Sequence, residues 1–176
     1  FNILEISGTE NSSAAVGRYN GFREVINTDN RFKIIHSQNG DFLRSKGKEI
    51  LDNIILQNKK NSPNQNHITI NQNKIDIIFS HNDGMTLGIL DSLKNNNIAS
   101  GKDLVIISID AEQAAIDALK DRRINCVVEC NPKIGPRVMK LIKTIHNKNT
   151  IPKKTFVEEV VFTEFDNLEN IVPRGY

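Results

Sequence analysis

The sequence contains no tryptophan, two tyrosines and two cysteines. It also has no run of about 18 apolar residues, so no helix of this chain is long and apolar enough to cross a membrane. Cys126 and Cys130 lie four apart in a stretch that reads as one strand. At about 3.3 Å per residue they stand roughly 13 Å apart, too far for a disulfide. With no third cysteine and no CxxC spacing, buried free thiols are expected, and cysteine usage assigns no compartment. An excess of one charge is missing too: 23 Lys plus Arg face 21 Asp plus Glu, a net charge of +2. That balance excludes the basic footprint of a protein that grips nucleic acid or an acidic membrane surface.

Catalytic motifs are absent as well. There is no GxGxxG and no GxxxxGK[ST], hence no cradle for a nucleotide phosphate, and no GxSxG elbow. The four histidines (His36, His67, His81 and His146) form no HxH or HxxxH pair for a metal. The opening residues, Phe1-Asn2-Ile3-Leu4-Glu5-Ile6, are not a basic segment followed by an apolar one, so they are no signal peptide. They read as a strand already under way, and the natural product is expected to begin before Phe1.

What is present is an alternation. The 176 residues, 38% hydrophobic and 25% charged, suffice for one domain with a proper core. Apolar runs read as strands at Ile3–Ile6, Phe32–His36, Ile75–Ser80, Leu104–Ile109, Cys126–Cys130 and Phe156–Phe162. Between them, helical spacing covers about 13–27, 42–58, 83–96, 112–121 and 133–147. Strands alternating with helices of this length predict an α/β fold, a doubly wound parallel sheet with helices on both faces. The nearly continuous apolar runs at 75–79 and 104–107 suit central strands buried on both sides. One stretch, Gln57 to Lys74, is rich in Asn, Gln and Lys, and is expected to form an exposed, mobile polar insertion.

Ligands of open α/β sheets sit beyond the carboxyl ends of the strands. Every predicted strand end here is polar: Ser7-Gly8-Thr9-Glu10-Asn11-Ser12-Ser13, then Ser37 to Phe42, His81-Asn82-Asp83, Asp110, and Glu129-Cys130-Asn131-Pro132. Carboxylate, amide, guanidinium and one aromatic ring suit a neutral polyhydroxyl ligand. Planar polar groups take paired hydrogen bonds from adjacent hydroxyls, and a ring face covers the C–H patch of a sugar. On the first helix Ala15, Phe22 and Val25 form a core-facing stripe, and Arg18 falls on it. Its guanidinium either reaches over the rim to a ligand or snorkels to solvent or a nearby carboxylate. Phe42 either meets the ligand or packs in the core. Asn82 with Asp83, and Asp110, either bind or cap helices.

The motifs Gly8-Thr9, Ser13-Ala14-Ala15, Arg18 and Gly21-Phe22 resemble the opening of the C-terminal lobe in type I periplasmic sugar-binding proteins, the ribose- and galactofuranose-binding group of ABC importers. Ser37 to Gly47, His81-Asn82-Asp83-Gly84-Met85-Thr86-Leu87-Gly88 and Ser108-Ile109-Asp110 are similar to that group's successive strand-end motifs. Glu129-Cys130-Asn131-Pro132-Lys133-Ile134-Gly135-Pro136 and Val172-Pro173-Arg174-Gly175-Tyr176 look most like the galactofuranose branch. The resemblance implies that Arg18 is the ligand arginine, Phe42 the stacking ring, and Asn82 and Asp110 hydrogen-bonding partners. Glu129 and Asn131 would frame one further polar contact in the hinge, where Cys130 replaces the glutamine of the ribose pattern.

On that resemblance, residues 1–128 form the C-terminal sugar-binding lobe, with 57–74 as its insertion. Residues 129–154 are a hinge crossing plus a helix belonging to the N-terminal lobe, and 155–176 are the return crossing and tail. The stripe Ile134, Val138, Leu141, Ile142 and Ile145 would then be covered by a companion: a missing N-terminal lobe, separate or cleaved, or a second copy of the chain. The implied function is capture of a monosaccharide (galactofuranose-like, pentose or hexose) outside the cytoplasm, in the periplasm or lipoprotein-anchored at the cell surface, and delivery to ABC transporter membrane subunits. No catalysis, cofactor, metal or nucleic acid is expected. The resemblance implies an alternative as well: the sugar-sensing domain of a histidine kinase or chemoreceptor, or the effector domain of a LacI-type transcription regulator.

Overall fold

The computed structural model describes residues 1–61 and 67–176. In chain order the elements are β1 (Asn2–Ser7), α1 (Ser13–Ile26), β2 (Lys33–Asn39), α2 (Arg44–Asn61), β3 (Thr69–Ile70), β4 (Asn73–Lys74), β5 (Ile77–Ser80), α3 (Asp83–Asn95), β6 (Val105–Asp110), α4 (Gln113–Lys120), β7 (Cys126–Glu129), α5 (Gly135–His146) and β8 (Val161–Thr163), followed by a 3₁₀ turn at Leu168–Asn170. The main sheet has the order β2-β1-β5-β6-β7-β8. Its first five strands are parallel, and β8 runs antiparallel to β7. The sheet is therefore mixed at one edge rather than wholly parallel, because the chain returns from α5 in the opposite direction.

Alternation along the strands sorts side chains between two layers. Leu4, Ile6, Ile78, Ile106 and Val127 point into the larger core, where α2, α3 and α4 supply Ile50, Leu51, Met85, Ile89, Leu93, Ile116 and Leu119. On the other face Ile3, Ile77 and Phe79 meet Phe22 and Ile26 of α1. The Phe22 and Phe79 rings stack with centroids 3.9 Å apart. Helices thus cover both faces. Helices α2 and α3 approach closely because Gly88 has no Cβ; an added one would run into the Arg44 carbonyl.

Three local expectations are corrected. Val25 is exposed, and the inward stripe of α1 is Ala15, Arg18, Phe22 and Ile26, which follows the helical period more closely. The last strand covers only Val161–Thr163, and Phe156 stands 83% exposed with no sheet neighbour. Cys130 is exposed just beyond β7 rather than buried, while Cys126 is half-buried within it.

The polar stretch 57–74 is ordered at both ends. Helix α2 runs on to Asn61, and the β3–β4 hairpin buries Ile68. The Asn58 amide donates to the Thr69 carbonyl at 2.7 Å and accepts from the Thr69 N–H at 2.5 Å. One apolar residue and a paired amide are enough to dock a segment that composition alone marks as unstructured. Its centre, 62–66, lies outside the described residues.

Candidate functional site

Strand order reverses between β1 and β5, since β1 leads to β2 on one side and β5 leads to β6 on the other. In open α/β sheets the loops after such strands part, and ligands bind in the crevice between them. Arg18, on the first turns of α1, reaches the ends of β5 and β6. Its guanidinium donates to the His81 carbonyl at 2.5 Å and to Asp110 Oδ1 at 2.6 Å. The two side chains keep only 15% and 23% exposure. Of the two alternatives for Arg18, the structure shows pairing with a carboxylate, at the carboxyl end of β6. Burial pushes the Asp110 carboxyl above the usual range, and the Arg18 charge partly offsets this.

Phe42 lies in the turn before α2 rather than on the helix, with φ at 59°. Its ring rests directly over Gly8, where a Cβ would collide with it. The Arg18 Cζ sits 5.5 Å from the ring centroid. Asn82 caps α3, with Oδ1 accepting from the Met85 N–H at 3.0 Å; its Nδ2 points to the Phe42 carbonyl at 3.4 Å, a long contact. Asp110 and Ala111 have φ of 126° and 64°. Such backbone is costly outside glycine and concentrates at ligand sites, where surrounding contacts enforce it. Here Phe42, Asp110 and Ala111 share it.

The enforcing contacts lie just beneath. Asp83, fully buried at the start of α3, accepts from the Ser108 hydroxyl and, at 2.7 Å, from the Glu112 N–H. It therefore holds the turn that follows β6. Burial pushes its carboxyl up to about 7, although those two hydrogen bonds pull the other way. On the α1 side, Glu5 is wholly buried in β1 and receives both Arg23 nitrogens, at 2.6 and 2.7 Å, and the Ser37 hydroxyl at 2.5 Å. Burial pushes its carboxyl up, but bonds from His81, Arg23 and Ser37 outweigh that and hold it at about 2. Sequence reasoning missed this network. A glutamate inside the apolar run Ile3-Leu4-Glu5-Ile6 was the available signal.

Arg18, Phe42, Asn82 and Asp110 are thus brought together; Glu129 and Asn131 are not part of that cluster. Glu129 pairs with Asp110 in the strand register, yet its carboxylate is engaged by Arg174, by the Asn131 Nδ2 at 3.0 Å and by the Val160 N–H at 3.1 Å. The Asn131 Oδ1 accepts from the Lys133 N–H at 2.8 Å. Glu129 ties together the outgoing crossing, the returning chain and the C-terminal tail. Among the described residues, no group of three or more His, Cys, Asp or Glu side chains gathers as a metal site.

The family of the periplasmic binding protein domain matches residues 1–149. The chain belongs to that family. It is 31% identical to the galactofuranose-binding protein YtfQ of Escherichia coli, over 99% of this chain and 53% of that protein. A Mycobacterium smegmatis protein solved in complex with β-D-fucofuranose is 32% identical, with a TM-score of 0.77 over 93% of this chain and 49% of that one. The periplasmic component of the arabinose ABC transporter of Shewanella sp. ANA-3, solved with L-arabinofuranose, is 31% identical, with a TM-score of 0.78 over 93% and 50%. The chain spans about half the length of each of these relatives.

Proposed function

We propose that the intact protein is an extracytoplasmic solute-binding protein that captures a monosaccharide in its furanose form and hands it to the membrane subunits of an ABC transporter. The observation that carries this reading is the Arg18–Asp110 pair beside the Phe42 ring, set at the sheet's switch point on strained backbone. A fixed guanidinium and carboxylate can hydrogen-bond adjacent hydroxyls from both sides, since one donates and the other accepts. The ring offers an apolar face to the sugar's C–H edge. Nothing in this set is a nucleophile with a base beside it, so the chemistry is binding rather than turnover. Relatives named for galactofuranose, and solved with fucofuranose and arabinofuranose, support the five-membered ring.

A second lobe closing over the crevice completes the proposal. Ile134 just before α5, and Val138, Met139, Ile142 and Ile145 within it, are each 42–54% exposed, a surface that soluble proteins keep covered. We assign residues 129–154 to the first crossing and to a helix that packs on that second lobe.

Native mass spectrometry of the intact protein with D-galactose, D-fucose, L-arabinose and D-ribose tests the reading. One retained monosaccharide mass is expected, and Arg18→Ala should weaken it about a hundredfold. Uptake of none of the four at millimolar concentration would overturn it.

A further inference from the structure

We infer that His81 is the positioning residue of the rim, tying the loop after β1, the Phe42 ring and the Arg18 guanidinium to the buried Glu5 anchor. The inference rests on the sugar-binding reading of that rim. His81 is wholly buried at the end of β5. Its Nδ1 accepts from the Gly8 N–H at 3.3 Å, and its Nε2 faces Glu5 Oε1 at 3.2 Å. One arrangement satisfies both contacts: Nδ1 carries no proton, and Nε2–H donates to the carboxylate. Glu5 is immobile in turn, because Arg23 grips both its oxygens and Ser37 donates a third hydrogen bond. The ring is therefore a rigid strut from the interior of β1 to the loop that begins at Gly8.

Gly8 passes that position on. Its carbonyl accepts from the Asn39 Nδ2 at 2.9 Å, joining it to the loop after β2, and its Cα lies under the Phe42 ring. The backbone carbonyl of the same histidine accepts the Arg18 guanidinium at 2.5 Å, and its N–H is fixed by the Ile6 carbonyl at 3.0 Å. Two of the groups assigned to the sugar, the ring and the cation, thus take their places from one residue that touches no ligand itself.

Two substitutions in the intact protein separate the roles of the ring nitrogens. His81→Asn keeps an acceptor near Nδ1 but lacks the donor to Glu5. His81→Gln can place a donor near Nε2 but leaves the Gly8 N–H without a partner. Both remove the ring, so loss common to the two is packing, and the difference between them sets the Gly8 bond against the Glu5 bond. NMR hydrogen exchange at the Gly8 amide is read without sugar, and L-arabinose affinity is read by calorimetry. His81→Asn is expected to keep Gly8 protected and to hold affinity within about threefold, while His81→Gln loses the protection and about tenfold in affinity. In the wild type, ring ¹⁵N shifts should show the Nε2–H form. Equal Gly8 exchange in the two variants, or an Nδ1–H ring, would overturn the inference. Should wild type bind no L-arabinose, that ligand assignment falls separately, and Gly8 exchange alone decides whether His81 holds the loop.

Discussion

Helices α4 and α5 are short, amphipathic and adjacent in the chain, and they have opposite fates. In α4, Ala115, Ile116, Ala118 and Leu119 are all buried against the larger core. In α5, which has a comparable apolar stripe, no residue is buried. Their amino ends differ in the same sense. The Glu112 N–H that opens α4 is held by Asp83, and the Gln113 N–H donates to the Tyr176 carbonyl at 2.8 Å. Ile134, ahead of α5, offers no side-chain cap. The comparison teaches that a 3.6-residue pattern marks a face for burial but does not name the surface that covers it. For α4 that surface is the chain's own sheet; for α5 none of the described residues provides it.

The largest expected effect concerns the amino end of α4. Asp83 titrates at about 7 in the fold against an ordinary 3.8. Folding thus favours its protonated form, so its contribution is complete below about pH 4 and is lost as pH rises through 7. About three pKa units correspond to about 4 kcal/mol, and Asp83→Asn should remove that decline from urea-unfolding stability measured between pH 4 and 8. An unchanged pH profile would show that Asp83 does not govern this end.

Core truncation compares the two helices directly. Ile116→Ala should cost about 3 kcal/mol, whereas Ile142→Ala in this chain alone should stay within about 0.5 kcal/mol. Equal losses would break the comparison, because α5 would then be packed. A smaller loss than that of Ile116→Ala concerns the tail that braces α4. Arg174→Gln removes the cation from Glu129, which keeps its bonds to Asn131 and Val160. About 2 kcal/mol is expected, with faster hydrogen exchange at the Gln113 amide and none at α2 or α3.

Much of the polar rim that carries the proposed site could be read in advance, because strand ends are marked by local pattern. Arg18 stood out as a charge on an apolar stripe, and Asp110 as the first polar residue after Ile107-Ser108-Ile109. Val25 was misplaced because a stripe of i, i+7 and i+10 drifts around the helix. The partner of Glu129 was not legible, because Arg174 lies 45 residues away and no local rule connects them.

The sequence by itself determined the order of strands and helices, the two-sided burial of the sheet and the polar rim. These depend on periods of 2 and 3.6 residues, which are properties of neighbouring positions. Only the tertiary structure decided which polar groups meet. Arg18 and Asp110 are 92 residues apart, and Glu5 and His81 are 76 apart. Their pairing follows from the crossover that sets β1 beside β5, a long-range choice that no local period encodes.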